Sequence, residues 1–107
     1  MTYTVRSLPR AEFDAQSIYD WICERSADGG RSWWQALEET FARLRRNPGS
    51  YACAPEAGQG GADVRQILFK TRQGRFYRVL FIVVGTEVRI LRIRGPGQPA
   101  LTEDELK

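Results

Sequence analysis

The chain contains no histidine among its 107 residues. This excludes Cys/His zinc sites and acid–base chemistry by imidazole, the side chain best suited to proton transfer near neutral pH. Cysteine is scarce: Cys23 sits in a helical pattern, where it reads as a small buried residue, and Cys53 sits in a loop with nothing nearby to mark it as a nucleophile. A disulfide between them is not expected. No apolar run reaches membrane-spanning length, and the start M-T-Y-T-V-R lacks the apolar core of a signal peptide, so the expected compartment is the cytoplasm and no membrane contact is anticipated. No residue set calls for a cofactor or a metal.

Acidic residues are missing where basic ones gather. Between Asp63 and Arg94 lie eight basic residues (Arg65, Lys70, Arg72, Arg75, Arg78, Arg89, Arg92, Arg94) against two acids, Asp63 and Glu87. Residues 1–50 hold seven of each sign, so the net charge of +3 originates in the second half. A basic surface of this kind predicts an anionic partner: nucleic acid, an acidic protein or the ribosome.

Hydrophobic patterning predicts one α+β domain over residues 1–107. Thr2 to Ser7 reads as a short strand that must pair at a sheet edge. Ala11, Ala15, Ile18 and Ile22 recur at helical spacing between Pro9 and Ala27, and Asp28-Gly29-Gly30 should stop that helix. Ser32-x-x-Gln35 fits a capping box for a second helix, with Trp34, Leu37, Phe41 and Leu44 as its stripe and Asn47-Pro48-Gly49 as its end. So short a link implies an antiparallel helical hairpin. Residues 47–62 have the glycine and proline density of a loop. Strands follow near 63–69, 75–84 and 87–94, with turns at Gln73-Gly74 and Gly85-Thr86, which makes a three-stranded antiparallel meander. Leu101 to Lys107 forms a terminal turn capped by Thr102.

Strict alternation in the last strand places Val88, Ile90, Arg92 and Arg94 on one side and Arg89, Leu91 and Ile93 on the other. The hairpin is expected to cover one sheet face and to leave the other as a shallow surface rimmed by arginines. There Arg92 and Arg94, roughly 6–7 Å apart, would be exposed and able to engage anionic groups together. Arg65, Tyr77, Arg78, Arg92 and Arg94 are the candidate site residues. Arginine suits an oxyanion because its planar fork donates two parallel hydrogen bonds, and Tyr77 would serve as a stacking platform or proton donor if its ring is not core packing. Of Trp33 and Trp34, adjacent on a helix, one should complete the hairpin core while the other points elsewhere. With Trp21, one position off its helix stripe, they are candidate anchors for a protein partner.

The helix ending L-R-R-N-P, followed by V-R-Q-I-L-F, G-R-F-Y-R-V-L-F and V-R-I-L-R-I-R-G in the order β-α-α-β-β-β, resembles the RelE/ParE toxins of bacterial type II toxin–antitoxin (plasmid stabilisation) modules. The resemblance spans about Arg10 to Gly95. It implies a cytosolic toxin that inhibits growth and is neutralised by a cognate antitoxin wrapping it, in a toxin–antitoxin hetero-oligomer. Members inhibit DNA gyrase or cut mRNA on the ribosome. In the cutting branch the resemblance maps backbone-binding arginines onto Arg65, Arg78, Arg92 and Arg94. The position after the last strand, often histidine in relatives, is Gly95 here, and the tail G-P-G-Q-P-A-L-T-E-D-E-L-K has no tyrosine, histidine or arginine. Three readings follow: a gyrase-binding toxin, a ribosome-dependent endonuclease driven by arginines, and a non-toxic binding module.

Overall fold

The computed structural model describes residues 2–56, 63–71 and 74–106. Its elements are β1 (Thr4–Ser7), α1 (Pro9–Cys23), α2 (Ala27–Leu44), a 3-10 turn at Pro48–Ser50, β2 (Arg65–Lys70), β3 (Phe76–Val84), β4 (Glu87–Arg94) and α3 (Glu103–Leu106). The four strands form one sheet in the order β1-β4-β3-β2. β2, β3 and β4 make the expected antiparallel meander, and β1 adds to the β4 edge in parallel, Val5 opposite Val88. Among the described residues no helix is long and apolar enough to cross a membrane.

The hairpin starts where Pro9, with its fixed φ, opens α1, and Ala11 and Ala15 turn inward, small enough to let the helix lie close to β4. The expected stop at Asp28-Gly29-Gly30 is not one. α1 ends at Cys23, Ser26 caps α2 by accepting the Gly29 N–H at 2.9 Å, and the glycines lie inside the first turns. Close packing explains their presence: a Cβ on Gly30 would stand 2.2 Å from Cys23 Sγ. The stripe is also rotated. Trp33, Leu37, Thr40 and Leu44 are buried, in place of the expected Trp34 and Phe41. Thr40 keeps its hydroxyl satisfied by donating to the Ala36 carbonyl at 2.8 Å.

β4 does not alternate strictly. Arg92 pairs with Leu80 and Ile90 with Phe81, so Leu91 is an extra residue, a β-bulge. Val88, Ile90 and Ile93 therefore share the helix-side core with Tyr77, Val79 and Phe81, while Leu91 joins a second cluster. That cluster, Ala54, Val64, Leu80, Leu91 and Leu101, lies on the face expected to be bare. It is closed over by the chain around Ala54, which bridges to β2 through Cys53 and Arg65, and by the segment after β4. Gln73 of the expected Gln73-Gly74 turn lies outside the described residues, and Gly74 has the positive φ of 81° that favours glycine.

Candidate functional site

Each sequence-predicted arginine on the sheet is held by the chain itself. Arg78, on β3, donates from Nη1 and Nη2 to the two carboxylate oxygens of Glu56 at 3.0 and 2.9 Å, and from Nη1 to Gln66 Oε1 at 2.9 Å. Glu56 is wholly buried and also accepts the Leu101 N–H at 2.9 Å. Burial by itself would raise its pKa. The hydrogen bonds from Arg78 and from the Leu101 backbone outweigh that and hold the carboxyl below its ordinary value.

Arg92 is bound in the same bidentate way to Asp14 of α1, Nε to Oδ2 at 2.7 Å and Nη2 to Oδ1 at 3.1 Å. Asp14 Oδ2 also accepts the Ile93 N–H at 2.9 Å, at the β4 edge beyond the reach of β1. The hydrogen bond to Asp14 raises the Arg92 pKa further, so this guanidinium is a permanent cation. Arg65 donates to the Tyr51 carbonyl at 2.8 Å and lies 3.6 Å from Asp63. Arg94 is held by a backbone carbonyl instead. It is buried, donates from Nη2 to the Pro99 carbonyl at 2.9 Å, and its Nε has no acceptor.

The expected open arginine surface is thus corrected. Arg92 and Arg94 are not an exposed pair, because the second face is roofed and the acids that neutralise Arg78 and Arg92 come from a distant loop and helix. Tyr77 is core packing: its ring stacks on Phe69 at 5.4 Å and meets Trp33 edge-on at 5.7 Å, and burial pushes its hydroxyl pKa up. Among the described residues no cluster of acids and cysteines is placed to hold a metal ion.

The tryptophans divide. Trp33 is 1% exposed and belongs to the core, so it is withdrawn as an anchor. Trp34 and Trp21 are exposed as expected, at 37% and 49%. Trp34 packs edge-on against Tyr19 at 5.3 Å, and the two line a shallow cleft of about 360 Å³ with Gln16, Arg31 and Gln35. The Arg25 guanidinium lies 3.7 Å over the Trp21 ring. Phe13, 72% exposed on α1, was not singled out from the sequence, nor were Asp14, Glu56 and Leu101. Glu56 carried one faint signal: it is the only acid between Glu39 and Asp63.

The model of a family described as the ParE toxin of the type II toxin–antitoxin system, parDE, matches residues 5–98. No curated protein matches the chain. Among solved structures, a chain of the chromosomal ParDE toxin–antitoxin system from P. aeruginosa is similar in fold, with a TM-score of 0.65 at 20% identity over 88% of this chain and 96% of that one. A chain of the RelBE2 toxin–antitoxin complex from Mycobacterium tuberculosis gives a TM-score of 0.50 at 24% identity over 89% of this chain and 99% of that one.

Proposed function

Because the chain belongs to the ParE toxin family of type II toxin–antitoxin systems, we propose that it inhibits growth by binding a protein target such as DNA gyrase, without cutting RNA. The observation that carries this reading is the bidentate capture of Arg78 by Glu56 and of Arg92 by Asp14. Cleavage of a phosphodiester needs cationic donors free to meet the developing charge and a positioned group to move a proton. Here two of the four strand arginines are committed to carboxylates, Tyr77 is buried with a raised pKa, and histidine is absent.

The neutralising partner is a cognate antitoxin in a hetero-oligomer within the cytoplasm. Its docking surface on this reading is the helical hairpin, where Trp34 and Tyr19 offer amphipathic ring area beside Arg31 and Gln35, and Trp21 offers a second exposed ring elsewhere on α1. Large, partly exposed aromatics of this kind are the usual energetic anchors of an interface.

The test uses purified toxin with gyrase and relaxed plasmid, alongside mapping of transcript ends in expressing cells. Loss of supercoiling with intact transcripts is the expected result. Cleaved transcripts with normal supercoiling would favour a ribosome-dependent endonuclease, and the absence of both effects, with no growth defect, a non-toxic binding module.

A further inference from the structure

The outer side of α1 holds two large aromatic rings in water, Phe13 at 72% exposure and Trp21 at 49%. A surface helix normally turns such rings inward, yet the buried side of α1 is given to Ala11 and Ala15. Phe13, Ser17 and Trp21 stand four residues apart and form one ridge. The exposed Arg10 and Glu24 lie on the same strip, seven residues to either side of Ser17. At about 100° per residue, all five fall within about 80° of the helix circumference. Glu24 continues the helical path beyond Cys23, with φ −59° and ψ −26°. The Arg25 guanidinium, 3.7 Å over the Trp21 ring and bonded to the Trp21 carbonyl at 2.7 Å, holds that ring in place.

The strip is matched about Ser17. An aromatic ring stands four residues away in each direction, and opposite charges stand seven residues away. Turned end over end, such a strip is complementary to itself, which is the condition for a two-fold interface. In an antiparallel pair of α1 helices crossing at Ser17, the small serine side chains let the backbones approach. Each Phe13 then lies beside the second copy's Trp21, and each Arg10 faces the second copy's Glu24. Phe13 and Trp21 lean to opposite sides of the Arg10–Ser17–Glu24 line, so the rings pass side by side without colliding. The seat for the indole exists already. An open cleft of about 420 Å³ at the start of α1 is lined by Pro9, Arg10, Phe13, Asp14 and Arg92. The antiparallel register sends the second copy's Trp21 into it, beside the Arg10 guanidinium, a cation suited to an indole face.

We propose that the free chain pairs with a second copy of itself through α1, in an antiparallel two-fold contact centred on Ser17. Charge argues for this occupant: the strip sets a cation at one end and an acid at the other, and the same strip reversed answers both. One helix pair buries a small area, so the association falls in the micromolar range. The Tyr19–Trp34 cleft lies on a different side of α1, toward α2, and stays open in the pair. An antitoxin that covers Trp21 has to separate the two copies, so the free and the neutralised chain differ in assembly. The pairing does not depend on whether the target is a protein or an mRNA.

Sedimentation velocity on the full-length chain alone, from about 1 to 200 µM, should show the mean mass rising from one chain toward two. Trp21→Ala should weaken the pair about tenfold or more. Ser17→Arg, which sets two guanidinium groups against each other on the two-fold axis, should leave a monomer. Arg10→Glu and Glu24→Arg should each weaken pairing when alone. An equimolar mixture of those two variants should pair again, because both charge contacts between the unlike copies then join opposite signs. All four positions are exposed, and melting curves check that the variants stay folded. An unaltered chain that stays monomeric over the whole range overturns the proposal, as does a mixture that fails to recover. If Phe13→Ser abolishes antitoxin or gyrase binding while the unaltered chain is monomeric throughout, the strip belongs to that protein and self-pairing is rejected.

Discussion

Glu56 and Arg78, 22 positions apart, meet in a two-point ion pair in which the carboxylate is wholly buried. Through the same carboxylate the loop before β2, the central strand and the segment after β4 are joined, since Glu56 also accepts the Leu101 N–H. Arg78→Ala should therefore destabilise the protein by about 3–5 kcal/mol, because it leaves a buried charge uncompensated. Replacing both partners by apolar residues of similar volume should cost much less. Denaturant unfolding of the two variants checks this, and a harmless Arg78→Ala would show that the pair holds nothing together.

The same pair sets an acid limit. The Glu56 carboxyl lies below its ordinary 4.5 in the folded state, so folding favours the ionised form. Its contribution is present in full above the unfolded value and is lost as pH falls through the lower folded value. Urea midpoints measured from pH 7 downward should be flat until about 4.5 and then fall, and Glu56→Gln should flatten that part of the profile. An unchanged slope in the variant would assign the acid limit to another carboxylate.

Trp33 and Trp34 should part company under mutation. Trp33→Ala opens the core beside Phe69 and Tyr77 and should cost about 3–5 kcal/mol of stability. Trp34→Ala should change stability little and weaken antitoxin binding by about 2 kcal/mol or more. Calorimetry with the purified antitoxin, paired with melting curves, separates the two effects. Undiminished binding by Trp34→Ala would move the docking surface away from the Tyr19–Trp34 cleft.

Gly30 tests the packing of the hairpin. A methyl group there would stand 2.2 Å from Cys23 Sγ, so Gly30→Ala should destabilise by about 1–3 kcal/mol despite the better helix propensity of alanine. Cys23→Ala removes the clashing sulfur and should restore most of the loss. If the double variant is no better than Gly30→Ala, the crossing is controlled elsewhere.

Replacing Arg92 and Arg94 together by alanine should lower the melting temperature clearly. Arg92 removal strands Asp14 beside the β4 edge, and Arg94 removal takes a buried contact from Pro99 in the segment after β4. A melting temperature within the scatter of an exposed-surface substitution would contradict their placement.

Element order and type were legible because periodicity is local: Ala11, Ala15, Ile18 and Ile22 announce a helix, and Phe76 to Val84 reads as a strand apolar on both faces. The ordered pieces from L-R-R-N-P to V-R-I-L-R-I-R-G carried the family. Two local cues misled. Asp28-Gly29-Gly30 looks like a helix stop because glycine usually breaks helices, but the close approach of α1 demanded a residue without a side chain there. Trp33 and Trp34 are chemically identical neighbours, and only the direction of the helix against β2 and β3 chose which ring to bury.

What lay beyond the sequence was the fate of the charge. A run of residues shows eight basic side chains and two acids between Asp63 and Arg94, and charge counted along a chain says nothing of what folds onto it. Asp14 and Glu56 reach Arg92 and Arg78 from outside that run, and the one-residue bulge at Leu91 changes which β4 side chains share a face. Both are long-range consequences of burial: an arginine taken out of water needs acceptors that the fold must bring to it, and a strand covered on both faces must seat apolar residues on each. The chain's composition made the sheet basic, and tertiary packing decided how much of that charge is left for a partner.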